Sequence, residues 1–419
     1  MSLYQRPFFV LSVCLLTLFL SACSLFSKTC VPDRITADCE SNPLLAGWRG
    51  SRSQHRPFDG EWTDFRAEDQ DNYLIVRQGG WESPLIRCRF GEIYRLSFEA
   101  RAAQPGYWRA FFYNRRGREI HADNYSRLYA EGESWSQQVF FLEGRKHTRF
   151  VKIGFDPRGE KGLQLDDIQF RPASRHEALA WIDERAAEIP QLQYNQPPNR
   201  WEHLPRTRET LQNGGKLRVV MLGDSIANDV TNSLFHLQLE RHYPEAEIEM
   251  IRSVRSGTGC QYYRREGKVG EYVTRYEPDL LIIGGISHGR NAGAIREVIK
   301  RTRKQSDPEV LVMSGAISRF LPYRYHKDGK RILVTREEQL KRNNEFRERL
   351  AQMCDEMNVA YLDMRGVWKD YLSRVERDGD WFRRDNIHAN SRGKRVLGEI
   401  MRRFFWDEAV PAAGDTARE

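Results

Sequence analysis

The chain has 419 residues, which is enough for two or three domains. Charged residues make up 30% and hydrophobic residues 40% of it, as in an ordinary soluble globular protein. The formal net charge of +8 suits a nucleic acid, an anionic lipid or an acidic polysaccharide as a partner, and it fits equally a solvated surface with no dedicated partner. The cysteines beyond residue 23 lack zinc-finger spacing, which excludes that class of protein.

Residues 1–22 have the form of a secretory signal peptide. Arg6 precedes an apolar run at 8–20, which is too short for an ordinary membrane-spanning helix. Leu20-Ser21-Ala22-Cys23 resembles the lipobox of bacterial lipoproteins. The resemblance implies cleavage before Cys23, a lipid anchor on its sulfur and, with Ser24 next, an outer-membrane location. A simple secretory signal with an incidental cysteine is the alternative. An exported, membrane-anchored chain is not expected to bind nucleic acid.

Residues 23–46 are predicted to form a tether. Cys30 and Cys39 lie close together in this stretch, so a local disulfide is compatible with an environment outside the cytoplasm. The other cysteines of the mature chain are isolated from one another and are predicted to be ordinary buried thiols. They are Cys88, Cys260 and Cys354.

The pattern at 47–173 is that of an all-β sandwich. Short runs that alternate apolar and polar residues recur, separated by turns that contain Gly and Asp. Two of these runs, Tyr94–Ala100 and Leu165–Phe170, resemble strands of the jelly-roll carbohydrate-binding modules. The resemblance implies that sugar rings stack on exposed aromatic side chains, whereas the alternative for each aromatic is a core position. The stacking candidates are Trp62, Trp81, Trp108 and Trp135, and the candidates for a structural calcium site are Asp166 and Asp167. A sandwich that only supports the following domain is the other interpretation.

Residues 174–215 are predicted to form a helix and a linker, and 216–408 a second domain. In that domain apolar, strand-like runs alternate with helical stretches, which predicts a parallel sheet with helices on both faces. The predicted strands are 217–222, 248–254, 280–283, 310–313 and 360–362, and the predicted helices are 226–241, 292–304, 336–357 and 391–405. Residues 409–419 are predicted to be a disordered tail.

A serine and a histidine at opposite ends of the second domain carry the predicted chemistry. Ser225 follows a buried strand and precedes a helix, so its hydroxyl should lie at the carboxyl edge of the sheet, where open α/β folds bind ligands. A serine hydroxyl needs a base, and the base needs a group that fixes its tautomer. His388 is the only histidine with an aspartate, Asp385, three residues before it. The alternative is a surface loop with an unrelated Asp and His.

The second domain resembles the SGNH, or GDSL, hydrolases over nearly all of 216–406. Gly223-Asp224-Ser225 matches the first block of the family and Asp385-Asn386-Ile387-His388 the last. The resemblance implies a flavodoxin-like three-layer α/β domain and an acyl-enzyme mechanism that needs no cofactor or metal. It implies that Ser225 is the nucleophile, that His388 is the base and that Asp385 orients the base.

The same resemblance implies an oxyanion hole. The expected donors are the N–H groups of Ser225 and Gly257, with Gly259 as the alternative if the register is displaced by two residues. The position that holds an asparagine in the family falls at Ser287 here, within Gly284-Gly285-Ile286-Ser287-His288. The Ser287 hydroxyl is the expected third donor and Asn291 the alternative. If nothing replaces the amide, turnover should fall by about 10²–10³.

Together the two domains predict a serine esterase that removes O-acetyl groups from an envelope or environmental polysaccharide. The substrate is an argument by analogy, because a carbohydrate-module-like domain beside an SGNH domain resembles the carbohydrate acetylesterases. A lipase, a thioesterase or an acyltransferase would use the same triad. A non-catalytic, glycan-binding envelope lipoprotein with a degenerate site is the alternative from another class.

Overall fold

The computed structural model describes residues 31–37, 43–44, 46–51, 58–63, 72–101, 106–127, 134–157, 162–316, 323–325 and 330–407. The predicted signal peptide, the lipid-attachment residue Cys23, the pair Cys30 and Cys39, and the C-terminal tail all lie outside these ranges. Within the ranges, no helix combines the length and the apolar character needed to cross a bilayer.

The N-terminal domain is a sandwich of two antiparallel sheets, as predicted. One sheet has the strand order β10-β7-β12-β4-β3 with β1 along β12, and the other has the order β2-β5-β11-β8-β9 with β6 along β11. The strands are β1 (Ile35–Ala37), β2 (Arg49–Ser51), β3 (Asp59–Thr63), β4 (Tyr73–Gln78), β5 (Gly80–Glu82), β6 (Ile86–Arg87), β7 (Ile93–Arg101), β8 (Tyr107–Tyr113), β9 (Glu119–Arg127), β10 (Ser136–Glu143), β11 (Phe150–Asp156) and β12 (Leu163–Ala173).

Two of the four tryptophans predicted to stack on sugars belong to the core of this sandwich. Trp81 is 2% and Trp108 0% exposed, so the prediction is wrong for both. Trp108 alternates with the equally buried Ala110 and Phe112 along β8, because every second side chain of a strand points to the same face. Trp135 is half-buried and packs edge-on against Tyr73, with ring centroids 5.7 Å apart. The side chain of Trp62 lies outside the described part of the chain.

The stretch predicted as a tether contributes a strand. β1 pairs antiparallel with β12, placing Ile35 opposite Phe170, and both Ile35 and Ala37 are buried. The prediction of a tether over 23–46 is therefore wrong for these residues, because their partner strand lies at the far end of the domain.

The two aspartates considered for calcium lie at an irregularity of β12, between Asp166 and Gln169. Oδ1 of Asp166 accepts the N–H of Asp167 at 2.7 Å. Among the described residues, no group of three or more His, Cys, Asp or Glu side chains is arranged to hold a metal ion. Calcium binding stays a prediction.

The second domain is a five-stranded parallel sheet covered by helices, which confirms the predicted fold class. The strand order is β14-β13-β15-β16-β19, the order of the flavodoxin-like sheet. The strands are β13 (Gly215–Gly223), β14 (Ala246–Val254), β15 (Leu280–Ile283), β16 (Glu309–Met313) and β19 (Ala360–Leu362), with a separate antiparallel pair β17 (Tyr323–Tyr325) and β18 (Arg331–Leu333). Cys88, Cys260 and Cys354 are free and buried, as predicted.

The helices depart from prediction where the backbone makes a local break. The helix predicted at 226–241 is two helices, because Leu234 between them adopts a left-handed φ of 59°. The helices at Pro205–Asn213, Cys260–Tyr263, Lys268–Tyr272 and Met364–Arg374 were not predicted, and the first of them lies in the stretch expected to be a linker. The helices are α1 (Arg175–Ala186), α2 (Pro205–Asn213), α3 (Ser225–Thr231), α4 (Phe235–His242), α5 (Cys260–Tyr263), α6 (Lys268–Tyr272), α7 (Ala292–Arg303), α8 (Arg336–Glu356), α9 (Met364–Arg374) and α10 (Ser391–Phe405), with 3₁₀ turns at Thr274–Tyr276 and Gly379–Phe382.

Candidate active site

Ser225, His388 and Asp385 meet beyond the carboxyl ends of the parallel strands. Nε2 of His388 lies 2.8 Å from Oγ of Ser225. Nδ1 of the same ring lies 2.8 Å from Oδ2 and 2.9 Å from Oδ1 of Asp385. In this arrangement the imidazole can accept the serine proton while the carboxylate fixes its tautomer. The side chains of His388 and Asp385 are 20% and 39% exposed, so the site opens to solvent.

The carboxylate of Asp385 is held in its ionised form. Its Oδ1 accepts the backbone N–H groups of Ile387 and His388, each at 2.9 Å. Burial alone would raise the pKa of Asp385, but the hydrogen bond to the His388 ring and the backbone N–H groups outweigh it and hold the pKa well below its usual range. Asp385 can therefore stabilise an imidazolium without itself taking up the proton.

Asp224 joins the turn that carries the nucleophile to the loop that follows β15. Its carboxylate is buried, and Oδ1 accepts the N–H of Ile226 at 2.9 Å, which caps α3. Oδ2 accepts the N–H groups of Ile286 at 2.8 Å and Ser287 at 2.6 Å. Gly285 has a φ of +108°, and a Cβ at that position would overlap the Asp224 carboxylate. Glycine is required there on both counts.

The two glycines considered as oxyanion donors have different surroundings in the loop after β14. Gly257 is exposed with a φ of +63°, and a Cβ there would have nothing within 4 Å. Gly259 is buried, and a Cβ there would overlap the carbonyl of Ser287. Gly259 thus allows the loop after β14 to pack closely against the loop after β15. The backbone of Gly257 has open space beside it. Gly257 as a donor stays a prediction.

The residues after β15 are engaged in three different ways. Ser287 is half-buried, and its backbone is pinned to Asp224 as described above. His288 is buried between two backbone groups, because Nδ1 accepts the N–H of Cys260 at 3.2 Å and Nε2 lies 3.0 Å from the carbonyl of Gly284. Burial lowers the pKa of His288, so the ring is neutral and structural. Asn291 caps α7 by accepting the N–H of Ala294 at 2.9 Å through its side-chain oxygen, and its role as an oxyanion donor through Nδ2 stays a prediction.

A buried carboxylate one turn after the nucleophile anchors the loop that carries His388. Asp229 is 0% exposed, and its Oδ1 lies 2.9 Å from Nη1 of Arg384 and 3.8 Å from Nζ of Lys394. Its Oδ2 accepts the N–H of Ala389 at 3.0 Å. Residues on both sides of His388 are thereby fixed to α3, which also carries Ser225. No member of this cluster was predicted from the sequence.

Burial of this cluster perturbs the pKa of its lysine. Lys394 is 5% exposed, and burial lowers its pKa to about 7. The charge of Asp229 acts to raise this pKa, whereas the nearby cations Arg384 and Arg145 lower it further. Asp229 therefore faces two potential cations, Arg384 and Lys394, with a single negative charge.

The sandwich touches both catalytic segments. Nη2 of the buried Arg145 donates to Oδ1 of Asn228 at 2.8 Å, three residues after the nucleophile. The hydroxyl of Tyr107 donates to the carbonyl of Arg384 at 3.1 Å, next to Asp385. The sandwich therefore supports the scaffold of the site directly.

A second buried contact fixes β10 of the sandwich to the sheet of the other domain. Oε2 of Glu143 lies 3.0 Å from Nη2 of Arg252 on β14, and Oε1 lies 3.4 Å from Nε2 of His236 on α4. Burial alone would raise the pKa of Glu143, but His236 and Arg252 outweigh it, and the net pKa is lowered. An apolar cluster that includes Ile93, Phe141 and Leu237 flanks these charges.

No protein-family model matches the sequence, and no curated protein matches it either. Among solved structures, a two-domain esterase active on acetylated mannans, crystallised with mannopentaose, is 15% identical, with a TM-score of 0.36 over 49% of this chain and 52% of that one. The chain thus spans about half the length of that esterase. A catalytic mutant of an acetylxylan esterase from Geobacillus stearothermophilus is 14% identical, with a TM-score of 0.38 over 47% of this chain and 97% of that one. A xylan-binding domain from Paenibacillus barcinonensis is 12% identical, with a TM-score of 0.26 over 34% of this chain and 98% of that domain.

Proposed function

We propose that the chain is a serine ester hydrolase of the SGNH type. The observation that carries the proposal is the continuous hydrogen-bonded row from Ser225 Oγ through His388 to Asp385, with distances of 2.8 Å on both sides of the ring. A serine beside an imidazole that is itself fixed by a carboxylate is the arrangement for nucleophilic attack on a carbonyl.

The reaction proceeds in two halves. Oγ of Ser225 attacks the carbonyl carbon of the ester while Nε2 of His388 takes the hydroxyl proton. The tetrahedral intermediate collapses, the imidazolium gives that proton to the departing alkoxide, and the acyl group stays on Ser225. Water then attacks the acyl-serine, His388 takes its proton and returns it to Oγ, and the free acid leaves.

The oxyanion formed in each half needs preorganised donors. We assign this role to the N–H groups of Ser225 and Gly257 and to the hydroxyl of Ser287. Asp224 supports the assignment, because it holds the backbone of Ser287 against the turn that carries the nucleophile.

We infer that the ester is an O-acetyl group on a polysaccharide outside the cytoplasm. The partly exposed His388 and Asp385 suit an ester carried on a polymer that remains largely in solvent. The signal-like N-terminus and the lipid anchor inferred at Cys23 would hold the site at the cell envelope, and the charge of +8 favours an acidic polymer.

The test is acetate release from acetylated polysaccharides by the mature chain, compared with Ser225→Ala and His388→Ala. Each substitution should lower kcat by at least about 10³-fold, because both groups act in the same step. Ser373→Ala is the matched control, since this hydroxyl donates to the carbonyl of Asp370 at an exposed helix end. Equal release by all four chains would refute the hydrolase.

Three further measurements separate the competing functions. A chain-length series of nitrophenyl esters should favour acetate, and a preference for long chains would show a lipase or thioesterase instead. Product analysis with an added glycan acceptor should show free acetate, and transfer to the sugar would show an acyltransferase. Glycan binding that survives Ser225→Ala, with no ester turnover in either chain, would show a non-catalytic lipoprotein.

A further inference from the structure

A cavity of about 340 Å³ lies where the sandwich meets the second domain, between β10, α1 and the start of α10. Its volume falls at the lower end of the range of small-ligand pockets, about 300–1,000 Å³. The wall is built from two amide side chains, two indole rings, arginines and one carboxylate, that of Glu188. Its principal members are Gln137, Gln138, Trp181, Trp381, Arg392 and Arg395.

This cavity borders the loop that carries the catalytic histidine. Ser391 lines it and follows His388 by three residues, so their Cα atoms are within about 11 Å of each other. On the other side of the loop, Nδ2 of Asn390 donates to the carbonyls of Trp381 at 2.9 Å and Arg383 at 3.2 Å. A polymer bound at the triad could therefore place a neighbouring sugar in the cavity.

Arg395 is the residue that points to a ligand. It is 8% exposed, and among the residues that the structure describes, its Nη1 and Nη2 are buried without a hydrogen-bond partner. Its guanidinium lies over the ring of Trp181, 4.1 Å from the centroid. A buried cation with unsatisfied donors is costly, and an anion that accepts from them would remove that cost.

The acids nearest to Arg395 are already bound to other arginines. Asp183 accepts from Arg241 at 2.6 Å, and Glu188 accepts from Arg185 at 2.6 Å. Burial, reinforced by the charge of Arg185, lowers the pKa of Arg395 to about 9, against the opposing effect of Glu188 and Asp183. The guanidinium is therefore still charged near neutral pH, and it is free to take an external anion.

We infer that this cavity binds the carboxylate of an acidic sugar residue in the same polysaccharide that carries the ester. The two parallel N–H groups of a guanidinium fork match a carboxylate. The rings of Trp181 and Trp381 hold the guanidinium groups of Arg395 and Arg392 in place, 4.1 Å and 4.2 Å from the ring centroids. The amides of Gln137 and Gln138 offer donors and acceptors for the sugar hydroxyls. The inference deepens the proposed function by naming a uronic acid as part of the substrate.

The test measures binding without turnover. A short oligouronate and its carboxyl-reduced, neutral counterpart are titrated into the full mature chain, and affinity is followed by calorimetry and by tryptophan fluorescence. The oligouronate should bind at least about tenfold more tightly than the reduced form, because hydrogen bonds to charged groups carry that difference. Arg395→Gln should remove this preference, whereas Arg349→Gln, an exposed arginine on α8, should keep it.

A second variant guards against loss of folding in Arg395→Gln. Ser391→Glu places a carboxylate in the cavity at the first residue of α10, where a negative charge stabilises a helix. It should weaken oligouronate binding at least about tenfold while the melting temperature does not fall.

Three results would overturn the inference, namely equal affinity for the acid and its reduced form, full binding by Ser391→Glu, or equal binding of a sulfated oligosaccharide. No ester is cleaved in this binding assay. The uronate site can therefore be refuted while acetate release still supports the hydrolase, and the hydrolase can be refuted while uronate binding is still observed.

Discussion

Replacing Asp229 with asparagine tests what holds the His388 loop against the nucleophile helix. The wild-type carboxylate is 0% exposed and lies against Arg384 and Lys394, whose side chains are 5% and 6% exposed. Asparagine keeps the shape but removes the negative charge that faces Arg384 and Lys394. Breaking a buried pair in this way costs about 3–5 kcal/mol, and we expect the lower value because Lys394 can release its proton.

The loss should appear in both stability and turnover. Urea unfolding followed by tryptophan fluorescence should give a free energy of unfolding lower by about 3 kcal/mol. Turnover of nitrophenyl acetate should fall about 10²-fold, as expected when a catalytic group shifts by about 1 Å. The control is Asp370→Asn, an exposed partner of Arg374, which should change stability by less than about 0.5 kcal/mol. If Asp229→Asn matches this control in both assays, the buried carboxylate does not position His388.

Three further substitutions have defined outcomes. Asp385→Asn should lower kcat by about 10⁴-fold with little change in KM, because the imidazole loses its fixed tautomer, and an unchanged kcat would remove Asp385 from the mechanism. Gly285→Ala should lower the free energy of unfolding in urea by at least about 2 kcal/mol, because its Cβ meets the Asp224 carboxylate at a positive φ. Gly257→Ala also has a positive φ but open space around it, so it should cost about 1 kcal/mol. Equal costs for the two variants would contradict this reasoning. In the wild-type chain the folded-state pKa of Lys394, about 7, lies below the pKa of a lysine in the unfolded chain. Between these two pKa values the unfolded chain keeps a proton that the folded chain has released, so the free energy of unfolding rises as pH increases. Lys394→Met should reduce the gain in unfolding free energy between about pH 7 and about pH 9 by about 1–2 kcal/mol, and the same gain in both chains would be inconsistent with a neutral buried lysine.

The catalytic residues were predictable because their signals are local. Ser225 stands at a strand-to-helix turn, and Asp385 precedes His388 by three residues, so both patterns are visible in a short stretch of sequence. That the two stretches meet follows from a parallel sheet, whose strands all end at the same edge. The parallel sheet with helices on both faces was likewise accessible from the alternation of apolar strands and helices, whereas the flavodoxin-like strand order was expected only from the resemblance to the SGNH hydrolases.

The residues that support the triad had no such signal. Asp229 and Arg384 are 155 positions apart, and in a chain with 30% charged residues neither stands out from solvent-exposed neighbours. Their burial depends on the packing of α3 against the loop. Arg145 is harder still to find, because it reaches Asn228 from a different domain.

The wrong predictions have separate physical causes. Trp108 could have been assigned to the core, since it alternates with Ala110 and Phe112 in a regular strand. Trp81 lies in a strand of three residues, too short for alternation to indicate a face. β1 was missed because three residues are too few to show an alternating pattern, and because pairing with a distant strand leaves no local signal.

The buried contact between Glu143 and the pair Arg252 and His236 has a consequence for the evolution of this architecture. Side chains from both halves of the polypeptide neutralise one another there, out of reach of water. An α/β half produced alone would present an uncompensated guanidinium, and a transplanted sandwich from elsewhere would have to supply a carboxylate at the matching point. The front half is therefore not an interchangeable accessory, and the two halves are constrained to change together.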